Sequence, residues 1–191
     1  ANQAITREQV DEVMSHFESG DYLVLQNEIN ELGYIVEKAH EKGMIIVLNP
    51  SPMNEKILAL PLDVINYFIL NEVEAAQILG KEDKGEESWE QIADDLLKKF
   101  PQATIVLTMG SEGSVFKNQK EPVCQSIYKV QAVDTTAAGD TFSGYFIGGI
   151  LGGLSAKEAM DQASKASAIA VTRKGAAPSI PLLAEVQNYN K

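Results

Sequence analysis

The amino-acid sequence predicts an α/β fold: a three-layer sandwich with a mainly parallel central sheet and helices on both faces. Three observations predict it. Segments with helical spacing of apolar residues alternate along the chain with short apolar runs. Those runs are continuous, as in strands buried on both faces, rather than alternating apolar with polar. Finally, Glu28, Asn71, Gly110 and the 134–140 stretch each follow an apolar run. Sites in such folds lie beyond the carboxyl ends of strands.

Taken in order, Thr6-Arg7-Glu8-Gln9 reads as a capping box, with Val10, Val13, Met14 and Phe17 on one face of the helix it opens. Residues 22–25 form a short buried strand. Helical spacing resumes at Ile29, Leu32, Val36 and Ala39, and Gly43 supplies the stop. Residues 44–48 are the next strand, ending at the turn Asn49-Pro50-Ser51-Pro52. A strand over 64–70 leads into a short helix over 72–79 closed by Gly80. Residues 88–100 are an amphipathic helix carrying Ile92, Leu96 and Leu97, and 103–108 a buried strand. Residues 114–117 and 121–133 read as a hairpin around Asn118, with 128–133 a strand-like approach to a run of small residues. A helix follows from 141 to near 151. Ser155-Ala156-Lys157-Glu158 caps another that reaches the neighbourhood of Val171. With no internal repeat, residues 1–191 are expected to form a single α/β domain.

A chain of 191 residues, 45% hydrophobic, can bury one substantial core. With 27 Asp+Glu against 16 Lys+Arg its net charge is −11, which argues against nucleic acid or an anionic membrane as a partner. Cys124 is the single cysteine, so no internal disulfide forms. His16 and His40 sit in helix-like polar contexts, so no Cys/His metal cluster is expected. No basic segment precedes an apolar one at the start, so no signal peptide is expected. The longest uncharged run, 141–156, falls short of a bilayer span. The expected location is the cytoplasm.

The stretch Val133-Asp134-Thr135-Thr136-Ala137-Ala138-Gly139-Asp140-Thr141-Phe142 carries the strongest chemical signal. Small side chains at 137–139 leave backbone N–H groups unobstructed at a helix start, where they lack internal partners and attract anions. Asp140 at that start can accept a proton from an attacking hydroxyl; a plain helix cap is the alternative. The 110–113 turn is either an ordinary hairpin loop or a floor for phosphates. Gly144, Gly148, Gly149, Gly152 and Gly153 read as close packing of a helix on the sheet. No G-x-x-x-x-G-K-[ST] occurs, and no G-x-G-x-x-G follows the first strand. Asn71 and Glu74 fall at a helix start, where capping competes with a metal role. For Glu28 the alternative is a solvated acid.

Asp134-Thr135-Thr136-Ala137-Ala138-Gly139-Asp140 resembles the C-terminal signature of the ribokinase-like (PfkB-type) carbohydrate kinases. The run Ala168-Ile169-Ala170-Val171-Thr172-Arg173-Lys174-Gly175-Ala176-Ala177-Pro178-Ser179 is similar to the ribokinases in particular. Asn71-Glu72-Val73-Glu74 resembles the family's N-x-x-E motif, and Thr108-Met109-Gly110-Ser111-Glu112-Gly113 its nucleotide-binding turn. The resemblance covers essentially all of the chain but only the later part of such a kinase. It implies ATP-dependent phosphorylation of a sugar primary hydroxyl, for ribose giving ribose 5-phosphate. A fructose, nucleoside or deoxy-sugar acid kinase, and a non-catalytic nucleotide-binding module, are the rivals.

By the same resemblance Asp140 is the base, and Ala137, Ala138 and Gly139 form the anion hole. Nucleotide contacts come from Asn71, Thr108, Gly110, Ser111, Gly113, Gly139 and Ser164; sugar contacts come from Glu28 and Asp140. Asn71 and Glu74 order Mg²⁺ through water. A monovalent cation, K⁺, is held by Asp134, by the carbonyls of Thr136, Ala170, Arg173 and Gly175, and by the Ser179 hydroxyl. The Gly-rich sugar motif and the lid sheet of such kinases have no match here. The chain, which opens at Ala1 without Met, is therefore read as lacking most of the sugar pocket, and the full-length protein as a homodimer through the lid.

Overall fold

The computed structural model describes residues 2–81, 87–120 and 122–189. They fall into two compact units, one formed by the residues up to Leu107 with 117–120, the other by 108–116 with the residues from Pro122 onward. The strands, in chain order β1 (Tyr22–Leu25), β2 (Ile45–Leu48), β3 (Tyr67–Asn71), β4 (Thr104–Thr108), β5 (Ser114–Lys117) and β6 (Val123–Gln125), form a six-stranded sheet in that same order. β1 and β2 pair in parallel from Tyr22 opposite Ile45, and β2 and β3 pair in parallel from Val47 opposite Tyr67. β5 and β6 are antiparallel, with Val115 opposite Cys124. The α/β class and the mainly parallel sheet are those the apolar runs predict.

In the first unit, α1 (Arg7–Met14) starts at Thr6, whose side chain and that of Gln9 form the expected reciprocal cap. Its buried stripe is narrower than the spacing predicts: Val10 and Met14 are buried, but Val13 and Phe17 are exposed, Phe17 because the helix has already ended. α2 (Leu32–Glu41) begins three residues after Ile29, at a left-handed Glu31. A four-residue helix α3 (Glu55–Leu58) and a 3₁₀ turn (Leu62–Val64) precede β3, so the strand expected from 64 starts only at Tyr67. α4 (Glu72–Leu79) closes on left-handed Gly80, and α5 (Trp89–Lys99) opens on Ser88. The core beneath them centres on Phe68 and Phe100, whose rings lie 4.9 Å apart, with Ile46, Leu48 and Ile105 fully buried.

β1 ends the sheet order. The carbonyls of Asp21 and Leu25 accept from Ile45 and Asn49 of the β2 segment. Parallel pairing therefore turns the backbone groups of Tyr22 and Val24 outward. Val24 is also 51% exposed through its side chain.

In the second unit, α6 (Ala138–Leu151) begins three residues earlier than expected, and α7 (Ala156–Ala170) opens on the expected Ser155–Glu158 cap. A short α8 (Leu183–Gln187) follows. The strand expected over 128–133 is absent. Its last N–H goes elsewhere: Val133, like Asp134 after it, donates to the Val171 carbonyl just past α7. The glycines of α6 also differ from expectation. A Cβ at Gly149 would stand 3.1 Å from the Ala159 methyl, so the close packing is against α7 rather than the sheet. At Gly144 and Gly148 a Cβ would meet nothing. Those two follow Asp140 at four-residue intervals, and all three line an open cavity of about 510 Å³ walled by Tyr145, Ile180 and Leu183. Among the described residues no helix is long and apolar enough to cross a membrane.

Candidate functional site

In the second unit the 134–140 and 168–179 motifs meet just before the start of α6. Ala137 is the N-cap residue, at φ 58° and ψ 16°, with no side-chain cap. A left-handed alanine costs about 1–2 kcal/mol, and such strain concentrates at functional positions. Asp140 is then the third residue of the helix rather than its cap, and its side chain is exposed. The plain-cap alternative for Asp140 is thereby corrected. The anion hole also needs a correction: the Ala138 N–H is not directed outward but donates to the Thr135 carbonyl at 3.2 Å. Gly139 keeps open space where a side chain would stand.

Two carboxylate oxygens hold the loop before this helix. Asp134 accepts from the Thr136 N–H at 2.9 Å through one and from the Gly175 N–H at 2.9 Å through the other. The Thr136 hydroxyl first, then the Gly175 and Thr136 N–H groups, hold its carboxyl down at about 2. The 134–136 turn and the 170–179 loop are thus brought together, as a shared cation site requires. In that loop the Ala170 carbonyl already accepts from Arg173, and the fully buried Ser179 hydroxyl donates to the Ala176 carbonyl. The Arg173 guanidinium pairs with Glu185 of α8, and this pairing lowers the Glu185 carboxyl. The donor set is oxygen-rich and fits a hard monovalent cation. Among the described residues no group of three or more His, Cys, Asp or Glu could hold a metal ion.

The 108–113 turn is a 3₁₀ turn (Gly110–Glu112) cinched by the Met109 N–H on the Gly113 carbonyl at 2.9 Å. Gly113 sits at φ 107°, and a Cβ there would stand 2.2 Å from the Gln125 carbonyl oxygen. No other residue fits that position. Gly110, also left-handed, and Ser111 are exposed, while Thr108 is half-buried at the end of β4. Ser164 differs: it is buried in α7 and its hydroxyl donates to the Ser126 carbonyl at 3.3 Å.

The first unit holds the remaining expected residues. Asn71 ends β3 and caps α4. Its side chain accepts from the Glu74 N–H at 2.9 Å, and the Glu74 carboxylate accepts from the Asn71 N–H at 3.0 Å. Glu74 is only 9% exposed. Burial pushes its carboxyl up, against the Asn71 N–H and a bond from the Ser51 hydroxyl that favour the charged form. Ser51 also accepts the Asn27 N–H at 3.0 Å, so the loop carrying exposed Glu28 is joined to the Asn71–Glu74 box. Sequence reasoning passed over Ser51, whose signal was its place in the Asn49-Pro50-Ser51-Pro52 turn. It also passed over Ser143 and Ser167, which bond the carbonyls of Gly139 and Ala138 and lie in no motif.

Residues 1–183 match the family model of the pfkB family carbohydrate kinases. The chain is 40% identical over 174 residues to the ribokinase of Schizosaccharomyces pombe, covering 86% of this chain and 53% of that one. Its structure is similar to the ribokinase of Thermotoga maritima, with a TM-score of 0.79 and 31% identity over 98% of this chain and 61% of that one. It is also similar to the Arabidopsis thaliana ribokinase complexed with ribose and ATP, with a TM-score of 0.78 and 26% identity, covering 98% and 59%. The chain therefore spans a little over half the length of these three relatives.

Proposed function

The chain belongs to the pfkB family of carbohydrate kinases, and on that footing we propose that it carries the phosphoryl-transfer half of an enzyme acting on a sugar primary hydroxyl. ATP is the donor and ribose the preferred acceptor, giving ribose 5-phosphate. One observation carries the reading: an exposed carboxylate, Asp140, stands in the first turn of a helix whose entry is a strained left-handed alanine. That turn supplies an anion site and a proton acceptor side by side. The relatives support ribose as acceptor, since the similar Arabidopsis enzyme was solved with ribose and ATP.

In this reading Asp140 takes the proton of the attacking hydroxyl, and the Gly139 N–H faces charge on the transferring group. The 110–113 turn, its path fixed by Gly113, gives backbone donors to the nucleotide phosphates. Asn71 and Glu74 would hold Mg²⁺ through water, and burial of Glu74 suits a cation that favours its charged form. Such an ion would supply charge neutralisation to phosphate oxygens. Asp134, with the 170–179 carbonyls and Ser179, would hold K⁺ and so order the loop behind Ala137.

Transfer from ATP should be measured with the whole protein against ribose, fructose and a nucleoside. Ribose should give the highest kcat/KM, with product phosphorylated at the 5-position. A folded protein that binds ATP but phosphorylates none of them would remove the reading.

A further inference from the structure

The peptide that presents the Gly139 N–H is held from behind by a residue outside every motif. The Ala138 carbonyl accepts a hydrogen bond from Ser167 Oγ of α7 at 3.2 Å. A trans peptide is planar, with its C=O and N–H pointing in opposite directions. A donor that fixes the Ala138 carbonyl therefore fixes the direction of the Gly139 N–H. Gly139 is the second residue of α6, so its N–H lies outside the intrahelical ladder. Its neighbour cannot share the task, because the Ala138 N–H is committed to Thr135. A hydrogen bond on the carbonyl also polarises the same peptide and strengthens its N–H as a donor.

We infer that Ser167 is a positioning residue for phosphoryl transfer, aiming the Gly139 N–H at the transferring group. The inference rests on the kinase reading above. A mere tie between α6 and α7 is the competing role. That contact is already made by the Gly149–Ala159 approach. Alanine is the best helix former, so Ser167→Ala keeps α7 folded while removing the hydroxyl.

Steady-state kinetics of the whole protein with saturating sugar test this. Ser167→Ala should lower kcat about tenfold while the ATP KM stays within about twofold, because the aimed donor matters most as charge develops. Ser167→Thr, which keeps the hydroxyl, should restore kcat to within about twofold of wild type. A wild-type kcat in Ser167→Ala, a rise in KM alone, or a loss that Thr does not rescue would overturn the inference. Wild-type protein that transfers nothing sinks the kinase reading and the inference together. An active wild type with an unaffected Ser167→Ala sinks the inference alone.

Discussion

Asp140 stands one position beyond Gly139 in the first turn of α6, and the cap of that helix is Ala137. Replacing the carboxylate by its near-isosteric amide leaves the cap intact. Asp140→Asn in the whole protein should keep ATP affinity and lose about 10²–10⁴-fold in turnover, the usual worth of a general base. Its stability should change by no more than about 1 kcal/mol, the first-turn dipole contribution. Kinetics beside denaturant melts check both; near-normal turnover would strip Asp140 of its role. Gly113 makes the opposite prediction. Gly113→Ala must place a methyl 2.2 Å from the Gln125 oxygen at φ 107°, and should lose about 3 kcal/mol of stability. An alanine variant melting with wild type would show that the turn relaxes freely.

At the scale of elements, local chemistry was legible and context was not. The caps at Thr6, Asn71 and Ser155, and the stop at Gly80, were readable because each depends on residues within one turn. The start of α6 was hidden because Ala138 and Gly139 carry no capping side chain; the loop that Asp134 ties to Gly175 sets it, 41 residues away. Residues 128–133 have the composition of a strand, but the Val171 carbonyl claims the N–H of Val133. The open side of Gly144 and Gly148 was equally invisible, since spacing does not say which face of a helix is covered. Two expectations follow. Ser155→Ala should destabilise by about 1 kcal/mol and weaken the pull of the Ser155 hydroxyl and N–H that lowers the Glu158 carboxyl. A lowered carboxyl stabilises above its unfolded value and loses that contribution as pH falls through the folded one. The melting deficit of the variant should therefore shrink in acid, and a pH-independent deficit would contradict it. If the Asp134 loop holds a monovalent ion, nucleotide affinity in K⁺ should exceed that in Na⁺, and both that in a bulky organic cation. Calorimetric titration yielding equal affinities would remove the ion from the scheme.

At the scale of the whole molecule, the two compact units each carry part of the expected chemistry, and the chain spans a little over half of the Schizosaccharomyces pombe ribokinase. The 191-residue chain should bind an ATP analogue with Mg²⁺ yet phosphorylate ribose weakly, since positioning of both substrates accounts for much of such catalysis. Calorimetry and a coupled assay on the same sample measure the two, and full sugar kinase activity would contradict the expectation. The outward backbone of β1 has a colloidal consequence as well. Among the described residues no strand pairs with the outward edge of Tyr22 and Val24, which is open to a neighbouring molecule, while a net charge of −11 keeps copies apart at low ionic strength. Salt shortens that repulsion to about 3 Å at 1 M, so light scattering should rise with salt at constant protein concentration, and Val24→Lys should flatten the rise.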